Sequence, residues 1–305
     1  MRAAAPEGAQ LRLSAREENR LENRIEIANN PATIEDATFF HSIMCQVGLP
    51  RSRVEGTTFE RRCDAAALLV EAGKIWNGSE FVQQEIPYGP IPRLILAWMN
   101  SYAIRHKTPE IPIGESASEF MRLLGKSVSG GRTGSISNFK KQTQALAACS
   151  LTLGFNFNGH AHTFTGQPIK HYEAWLSPSY EFQKSLWPGK IILSSDYFNS
   201  LIEKAVPVDV RALSDLKGSA LAMDIYCWLS SRLWKIEGRP VVLHWKNLRG
   251  QFGHEYTGIN PDKDFKKSFL KALESVQHVY PKAKLKRVPT GIMLMPSPPP
   301  IPART

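Results

Sequence analysis

Two stretches of the chain place lysines and small polar residues at helical spacing. The first stretch, from Phe139 to Leu151, reads FKKQTQALAACSL, and the second, from Phe265 to Val276, reads FKKSFLKALESV. Lysine ammonium groups neutralise phosphates, whereas serine, asparagine and glutamine side chains can hydrogen-bond to the edges of bases. Both stretches therefore favour recognition of a polyanion by surface contacts over a covalent reaction.

The two stretches differ in what their exposed sides would offer. The helix predicted from about Ser135 to Cys149 mixes several polar types and places Ala145 on its exposed side, which suits reading of bases. The helix predicted from Pro261 to Val276 offers mostly lysine, which suits phosphate anchoring. The candidate DNA-contact residues, which share a charged or hydrogen-bonding side chain, are Arg132, Ser135, Ser137, Asn138, Lys140, Lys141, Gln144, Lys263, Lys266, Lys267, Ser268, Lys271, Lys284, Lys286 and Arg287.

The overall charge of the chain indicates the same kind of partner. The 305 residues carry a formal net charge of +10, which favours a polyanion, nucleic acid before a membrane surface. No acidic residue lies between Glu119 and Glu173 or after Glu274, and these stretches fall in the basic helix and β-rich tail of each half. An ordinary solvated basic surface is the alternative interpretation. Apolar runs such as Leu94 to Met99 are too short to span a bilayer, so no membrane partner is expected.

The two basic helices belong to a longer internal repeat. Trp98 corresponds to Trp228 at an offset of 228 − 98 = 130, and Phe139 corresponds to Phe265 at an offset of 265 − 139 = 126. A slowly changing offset is what loop-length changes produce between two copies of one unit. Each copy reads helix, short strand, helix, turn, basic helix and β-rich tail. This order predicts an α+β fold of tandem winged-helix domains, each a helix-turn-helix with a β-hairpin wing, and double-stranded DNA as the partner.

The pattern divides the chain into five segments. They are a flexible polar leader (1–36), accessory strands and a helix packed on the first module (37–86), a first winged-helix domain (87–186), a second winged-helix domain (187–296) and a proline-rich tail (297–305). The first wing is predicted around Asn158-Gly159 and the second at Pro289-Thr290-Gly291. Alternation in the second wing would place Lys282, Lys284 and Lys286 on one strand face. That row fits either contact with a phosphate backbone or a sheet edge protected by lysine.

Residues that could catalyse a reaction form no clear set. The four cysteines are scattered without metal-binding spacing, and no GxxxxGK[ST] phosphate loop is present. We therefore expect no enzymatic activity, no metal and no cofactor. One alternative remains open, because His160-Ala161-His162 has the spacing of a metal-binding pair and Tyr172 could act as a nucleophile. That arrangement would make the chain a metal-dependent nicking initiator of the rolling-circle kind.

Three stretches of the sequence resemble one known family. They read MCQVGLPRSRVEGTTFE from Met44, YGPIPRLILAWMNSYAIRHKTPEIPIGESASEFMRLLG from Tyr88 and SISNFKKQTQALAACSL from Ser135. Over about residues 40–295 the chain is similar to the plasmid-encoded RepA-type replication initiators. The resemblance implies two winged-helix domains in a cytoplasmic protein that binds repeated origin sequences, called iterons, and its own promoter.

The same resemblance implies a set of partners and a sequence of events at the origin. It implies opening of the origin duplex, recruitment of a host DnaA-type initiator and a replicative helicase, and a homodimer that represses the promoter and so controls plasmid copy number. A plain transcription repressor is a further alternative, since it would bind an operator without opening the DNA.

Overall fold

The computed structural model describes residues 14–63, 66–112, 121, 135–157, 160–172 and 190–302. These residues form a mixed α+β fold with nine α-helices and fourteen β-strands. Within the described ranges, no helix is long and apolar enough to cross a membrane. The buried apolar side chains gather in two clusters, one for each of two units of the fold.

The first unit is built around one long buried helix. The helices of this part of the chain are α1 (Ala15–Asn29), α2 (Ser42–Gln46), α3 (Pro90–His106), α4 (Ser135–Ala148) and α5 (Ser195–Lys204). Its strands are β1 (Ala37–His41), β2 (Thr58–Cys63), β3 (Ala66–Glu71), β4 (Lys74–Trp76), β5 (Phe81–Gln83), β6 (Glu110–Pro112), β7 (Ser150–Phe157), β8 (His160–Gly166), β9 (Ile169–Tyr172) and β10 (Lys190–Leu193). Prolines suit the first turn of α3, where a backbone N–H is not needed.

The second unit packs four helices against a small sheet. Its elements are β11 (Ala205–Asp209), α6 (Val210–Leu216), α7 (Ala220–Arg232), β12 (Val241–His244), α8 (Trp245–Phe252), α9 (Pro261–Val279), β13 (Leu285–Val288) and β14 (Gly291–Leu294). Phe265 and Phe269 of α9 are fully buried, and the ring of Phe269 lies 5.7 Å from that of Phe252 in α8. Each buried aromatic ring stabilises the fold by roughly 1.5–3 kcal/mol. These rings belong to an apolar stripe along α9, in which Phe265, Phe269 and Val276 are buried at helical spacing.

The two units share one order of strands. In the first unit β6 pairs with β10 and β10 with β9, and in the second β12 pairs with β14 and β14 with β13. In each unit, the strand that follows the first long helix (β6 after α3, β12 after α7) pairs with the second strand of a later antiparallel pair (β10 of β9–β10, β14 of β13–β14). Gly291 permits this pairing in the second unit, since a Cβ there would lie only 1.8 Å from the carbonyl oxygen of Leu243. The shared order agrees with the predicted duplication.

The hairpin predicted as the first wing belongs to a different sheet. β7 and β8, on either side of residues 158–159, pair with each other, and β7 also pairs with β3. They extend a four-stranded sheet in the order β2-β3-β7-β8 and do not join β6. The predicted hairpin is therefore present, and its role as a wing stays a prediction. Alternation identifies a hairpin but not the sheet that it joins, so its pairing with β3 was not predicted. The strands that correspond to β13 and β14 are β9 and β10.

The packing does not follow the division predicted at residue 187. Ile191 of β10 and Tyr197 and Leu201 of α5 lie in the buried cluster of the first unit. Proline and glycine at 188–189 are residue types that interrupt helices and strands, but residues 190–193 after them complete the sheet of β6, β10 and β9. Residues 190–204 therefore belong to the first unit.

The segment predicted as a flexible leader contains a packed helix, α1. Arg20 and Arg24 donate to the buried carboxylate of Asp215 in α6 at 3.3 and 3.2 Å. Ile27 enters the buried cluster of the second unit. The prediction was wrong for Ala15–Asn29 because the carboxylate that holds the helix lies 195 and 191 residues further along the chain.

A buried ion pair joins the two units. Arg93 of α3 donates to Asp224 of α7 through two hydrogen bonds of 2.6 and 2.9 Å, and the two side chains are only 4% and 9% exposed. Arg93 also donates to the backbone carbonyls of Leu49, Pro50 and Gly89. All three guanidinium nitrogens therefore have acceptors, which offsets the cost of removing the charge from water.

Neighbouring arginines extend this contact between the units. Arg51 donates to Glu255 through its backbone N–H and through Nε, both at 2.8 Å, and Arg61 reaches the same carboxylate at 3.0 Å. Burial and the charge of Arg51 lower the pKa of Arg61 to about 10, so it remains cationic at neutral pH. β1 at the start of the first unit also pairs along its full length with β11 of the second. The two units are thus joined by charge and by backbone hydrogen bonds.

His41 connects β1, α2 and α5 in its neutral form. Its Nδ1 accepts a hydrogen bond from the backbone N–H of Ile43 at 3.3 Å, and its Nε2 lies 2.9 Å from the hydroxyl of Ser200. An accepting Nδ1 requires a neutral imidazole with the proton on Nε2. Burial, with a smaller contribution from the charge of Lys204, lowers the pKa of His41 to about 4. Protonation would therefore break the cap of α2.

We expect Asp224→Asn to lower the free energy of unfolding by about 3–5 kcal/mol, because it leaves the Arg93 guanidinium buried without a carboxylate. Urea denaturation followed by circular dichroism measures this loss. The matched control is Glu110→Gln, which removes the exposed pair with Lys190 and should cost less than about 1 kcal/mol. Equal losses in the two variants would contradict the role given to the buried pair.

The pKa of His41 is about 4 in the folded chain and about 6.5 in the unfolded chain. Between pH 4 and pH 6.5 the imidazole is therefore protonated in the unfolded chain and neutral in the folded one. The stability from neutral His41 is full above about pH 7 and is lost as the pH falls toward 4. We expect the free energy of unfolding to drop by about 2 kcal/mol from pH 7 to pH 5 on this account. Urea titrations at both pH values should show a smaller drop in His41→Gln, whereas the exposed-site variant His244→Gln should behave as the parent.

Candidate nucleic-acid interface

Helix α9 carries a row of exposed lysines along its outer face. Lys263, Lys267 and Lys271 recur every four residues and so lie on one side of the helix. No acidic residue of the described chain forms an ion pair with any of the three. The helix has 19 residues and therefore extends for about 28 Å. Its exposed face offers several positive charges over a length that one groove of a duplex can receive.

The flanks of α9 moderate this charge. Asp262 in its first turn accepts a hydrogen bond from Arg249 of α8 at 2.9 Å, and Glu274 lies exposed one turn beyond Lys271. Lys266 is half-buried, with its ammonium group 4.7 Å over the ring of Trp245, and Ser268 is also half-buried. Of the five candidates on this helix, the three lysines of the outer row are the most accessible.

The hairpin after α9 adds two exposed cations. Lys286 pairs with Met293 and Arg287 with Ile292 across β13 and β14, and both basic side chains are exposed. Lys284 is exposed as well, but β13 begins only at Leu285. The predicted single row of Lys282, Lys284 and Lys286 on one strand face is therefore wrong, because two of its three members precede the strand.

Helix α4 exposes a shorter polar surface. Ser137, Asn138, Lys140 and Lys141 are exposed, whereas Ser135 and Gln144 are half-buried. Every residue from Ala145 to Ala148 is buried, so the prediction that Ala145 faces outward is wrong. The 72–74 segment covers this end of the helix, with Gly73 so close that a Cβ there would lie 2.1 Å from the carbonyl oxygen of Ala148. Arg132 lies outside the described residues.

Glu85 neutralises part of the α4 surface and was missed by sequence reasoning. Its carboxylate lies 2.9 Å from the ammonium group of Lys141 and 3.5 Å from Nε of Arg53, and it accepts a hydrogen bond from the buried side-chain amide of Gln142 at 2.9 Å. Gln142 in turn accepts from the backbone N–H of Tyr88 at 2.8 Å. Nothing local in the sequence marks Glu85, because it precedes Lys141 by 141 − 85 = 56 residues.

Comparison with protein families identifies the group to which these elements belong. The model of the family described as plasmid-encoded RepA protein matches residues 86–246, which is 246 − 86 + 1 = 161 of the 305 residues. The chain belongs to the family of plasmid-encoded RepA proteins. Membership in the RepA family supports a role in the initiation of plasmid replication. The match covers α3 to β12 and the start of α8, and α9 follows it along the chain.

One solved structure similar to this RepA-family chain is described as a crystal structure of selenomethionine derivatives of domain 2 and domain 3 of RctB. The similarity has a TM-score of 0.48 at 11% sequence identity and covers 76% of this chain and 83% of that chain. The comparison with curated proteins found no match.

The residues behind the nicking alternative lie in different sheets of this RepA-family chain. His160 and His162 are on β8 in the four-stranded sheet, whereas Tyr172 is on β9 and pairs with Ile191 of β10. In the part of the chain that the structure describes, no three His, Cys, Asp or Glu residues are grouped as a metal site requires. Separate sheets give no support to the predicted histidine–tyrosine arrangement.

We expect Glu85→Gln to strengthen duplex binding by the RepA-family chain, since the isosteric amide removes the charge that offsets Lys141. The log–log salt dependence should steepen by about 0.9, the effect of one further phosphate contact. Fluorescence anisotropy with a labelled origin duplex over roughly 50–200 mM salt measures the slope. The control Glu71→Gln removes an exposed carboxylate at the end of β3, and an equal steepening there would show that only net charge matters.

Proposed function

We propose that this chain is a replication initiator that binds the repeated sequences of a plasmid origin through two winged-helix modules. The observation that carries the proposal is the row of Lys263, Lys267 and Lys271, exposed along α9 and followed by a hairpin that exposes Lys286 and Arg287. Membership in the RepA family supplies the context of plasmid replication.

The order of elements in the second unit supports the winged-helix assignment. α7, β12, α8, α9 and the β13–β14 hairpin follow one another, and β12 pairs with β14. In such a module the last helix enters the major groove, while the helix before it crosses the backbone and the hairpin lies beside it. The described part of the first unit has α3, β6 and α4 in the same order, with α4 in the place of α9. The β7–β8 hairpin follows α4, and the β9–β10 pair then joins β6 as the β13–β14 hairpin joins β12.

The two basic helices suit different tasks. α4 exposes Ser137 and Asn138, with Gln144 on the same side, and these types can hydrogen-bond to base edges. α9 exposes mainly lysine, which contacts phosphates and releases counterions. We therefore assign sequence reading to α4 and backbone anchoring to α9. Contact with about eight phosphates would give a log–log salt slope near −7.

Both an initiator and a plain repressor would bind the replicon, but only an initiator would open the DNA. We propose that the chain opens an A·T-rich segment beside the repeats, recruits a host DnaA-type initiator and the replicative helicase, and represses its own promoter as a homodimer. Footprinting at several salt concentrations locates the repeats, and permanganate reactivity reports unpaired thymines. Protection of the repeats without permanganate reactivity would favour the repressor.

We expect Lys267→Ala to weaken binding to all duplex sequences alike and to lower the magnitude of the salt slope by about 1, because it removes one phosphate contact. Anisotropy titrations with an origin repeat and a scrambled duplex measure both effects. The matched control is Lys235→Ala, which removes an exposed lysine that belongs neither to α9 nor to the β13–β14 hairpin, and should leave both duplex affinities unchanged.

The complementary variant is Gln144→Ala on α4. It should reduce the preference for the origin repeat over the scrambled duplex by about 1–3 kcal/mol while leaving the salt slope unchanged. A loss of preference in Lys267→Ala as large as that in Gln144→Ala would contradict the division of tasks between the two helices.

A further inference from the structure

A groove between the two units carries positive charge, and the described residues that line it include no acidic one. It encloses about 510 Å³ between α2 and β2 of the first unit and α7, β12 and α8 of the second. That volume lies within the range of about 300–1,000 Å³ usual for small-molecule sites. The basic residues that line it are Arg62, Arg232, Lys235, Lys246 and His254. None of them belongs to the surface proposed for duplex DNA.

Three of these cations are available to an anion. Arg232, Lys235 and Lys246 are exposed, and none forms an ion pair within the described residues. The guanidinium of Arg232 lies 6.0 Å from the centre of the Trp228 ring, a contact that orients the charge without neutralising it. Arg62, by contrast, is paired with Glu60 on the same strand. The uncompensated charge is therefore concentrated on the α7 and α8 side of the groove.

The groove also offers hydrogen-bonding groups next to this charge. The side-chain amide of Asn247 has no hydrogen-bond partner in the described part of the chain, and the amide nitrogen of Gln251 donates to the carbonyl of Gln46 at 2.9 Å, which leaves its oxygen as an acceptor. Burial and the charge of Arg61 lower the pKa of His254, so its imidazole is neutral at pH 7. Amide side chains of this kind pair with the edges of nucleobases.

We propose that this groove binds a free nucleoside phosphate, with Arg232, Lys235 and Lys246 at the phosphates and the amides of Asn247 and Gln251 at the base. A lone phosphate would fill only a small part of 510 Å³, and a duplex is too wide to enter. A long single strand is less suited, because the cations do not continue past Arg62, where Glu60 lies. A ligand here would touch Ser42 and Gln46 of the first unit as well as α7 and α8, and so would stabilise their arrangement.

The test uses the full chain and the fluorescent nucleotide mant-ADP. We expect saturable binding by anisotropy, competed by unlabelled ADP more strongly than by inorganic phosphate. Arg232→Gln and Lys235→Gln should each weaken binding by about tenfold, because each removes a charge-assisted hydrogen bond. Lys74→Gln, the same change of charge on β4 outside the groove, should have no effect. Thermal unfolding of each variant confirms that the exposed substitutions leave the fold intact.

Several outcomes would overturn the proposal. They are no saturable binding of mant-ADP, equal weakening by Lys74→Gln, or binding of an oligothymidylate through Arg232 and Lys235 in the absence of nucleotide binding. The last result would assign the groove to a single strand. Duplex affinity of the same variants is measured in parallel, with Lys267→Ala as the reference. Because the two sites share no residues, failure of the nucleotide proposal and failure of the proposed DNA-binding function give different results.

Discussion

The buried pair of Arg93 and Asp224 is the interaction on which the arrangement of the two units depends. It joins α3 to α7, the first long helix of each copy of the repeat, near equivalent positions, since 224 − 93 = 131 is close to the offset of the repeat. The chain passes directly beside this pair at Gly48. A side chain does not fit there, because a Cβ would lie 2.8 Å from the carboxylate of Asp224. A buried ion pair requires further hydrogen bonds to its remaining donors and acceptors, which the carbonyls of Leu49 and Pro50 supply to Arg93. That requirement fixes the 48–51 segment, and through Arg51 and Glu255 it also fixes the segment after α8.

Local patterns in the sequence predicted the parts of the fold that depend on neighbouring residues. The helices predicted from about Ser135 to Cys149 and from Pro261 to Val276 are present as α4 and α9, with their buried residues at helical spacing. Contacts between distant residues were not predictable in this way. Alternation in β7 gave no sign of its pairing with β3, and the helical pattern of α1 gave no sign of Asp215. The same limit applies to the candidate site, where the lysines were found from sequence but Glu85 was not.

A count of lysines is therefore a poor measure of the charge that a surface offers. Lys141 and Lys267 occupy similar positions in the two copies of the repeat, yet Lys141 forms an ion pair with Glu85, whereas Lys267 forms none with the described residues. The exposed part of α4 is also shorter, since the 72–74 segment covers its end. The two polar helices thus differ in electrostatic character. Such a pair can divide the recognition of a repeated DNA site between contacts that depend on sequence and contacts that do not.

The pairing of β9 with β10 and of β1 with β11 has a consequence for how the chain responds to cleavage. A protease that cuts between residues 172 and 190 would sever the backbone, but both sheets contain strands from each side of the cut. The two fragments would separate on a denaturing gel and still elute together on gel filtration, held by strand pairing and side-chain packing. Co-expression of the two fragments offers a route to a split form of the protein, whose assembly would be spontaneous because each half completes sheets in the other.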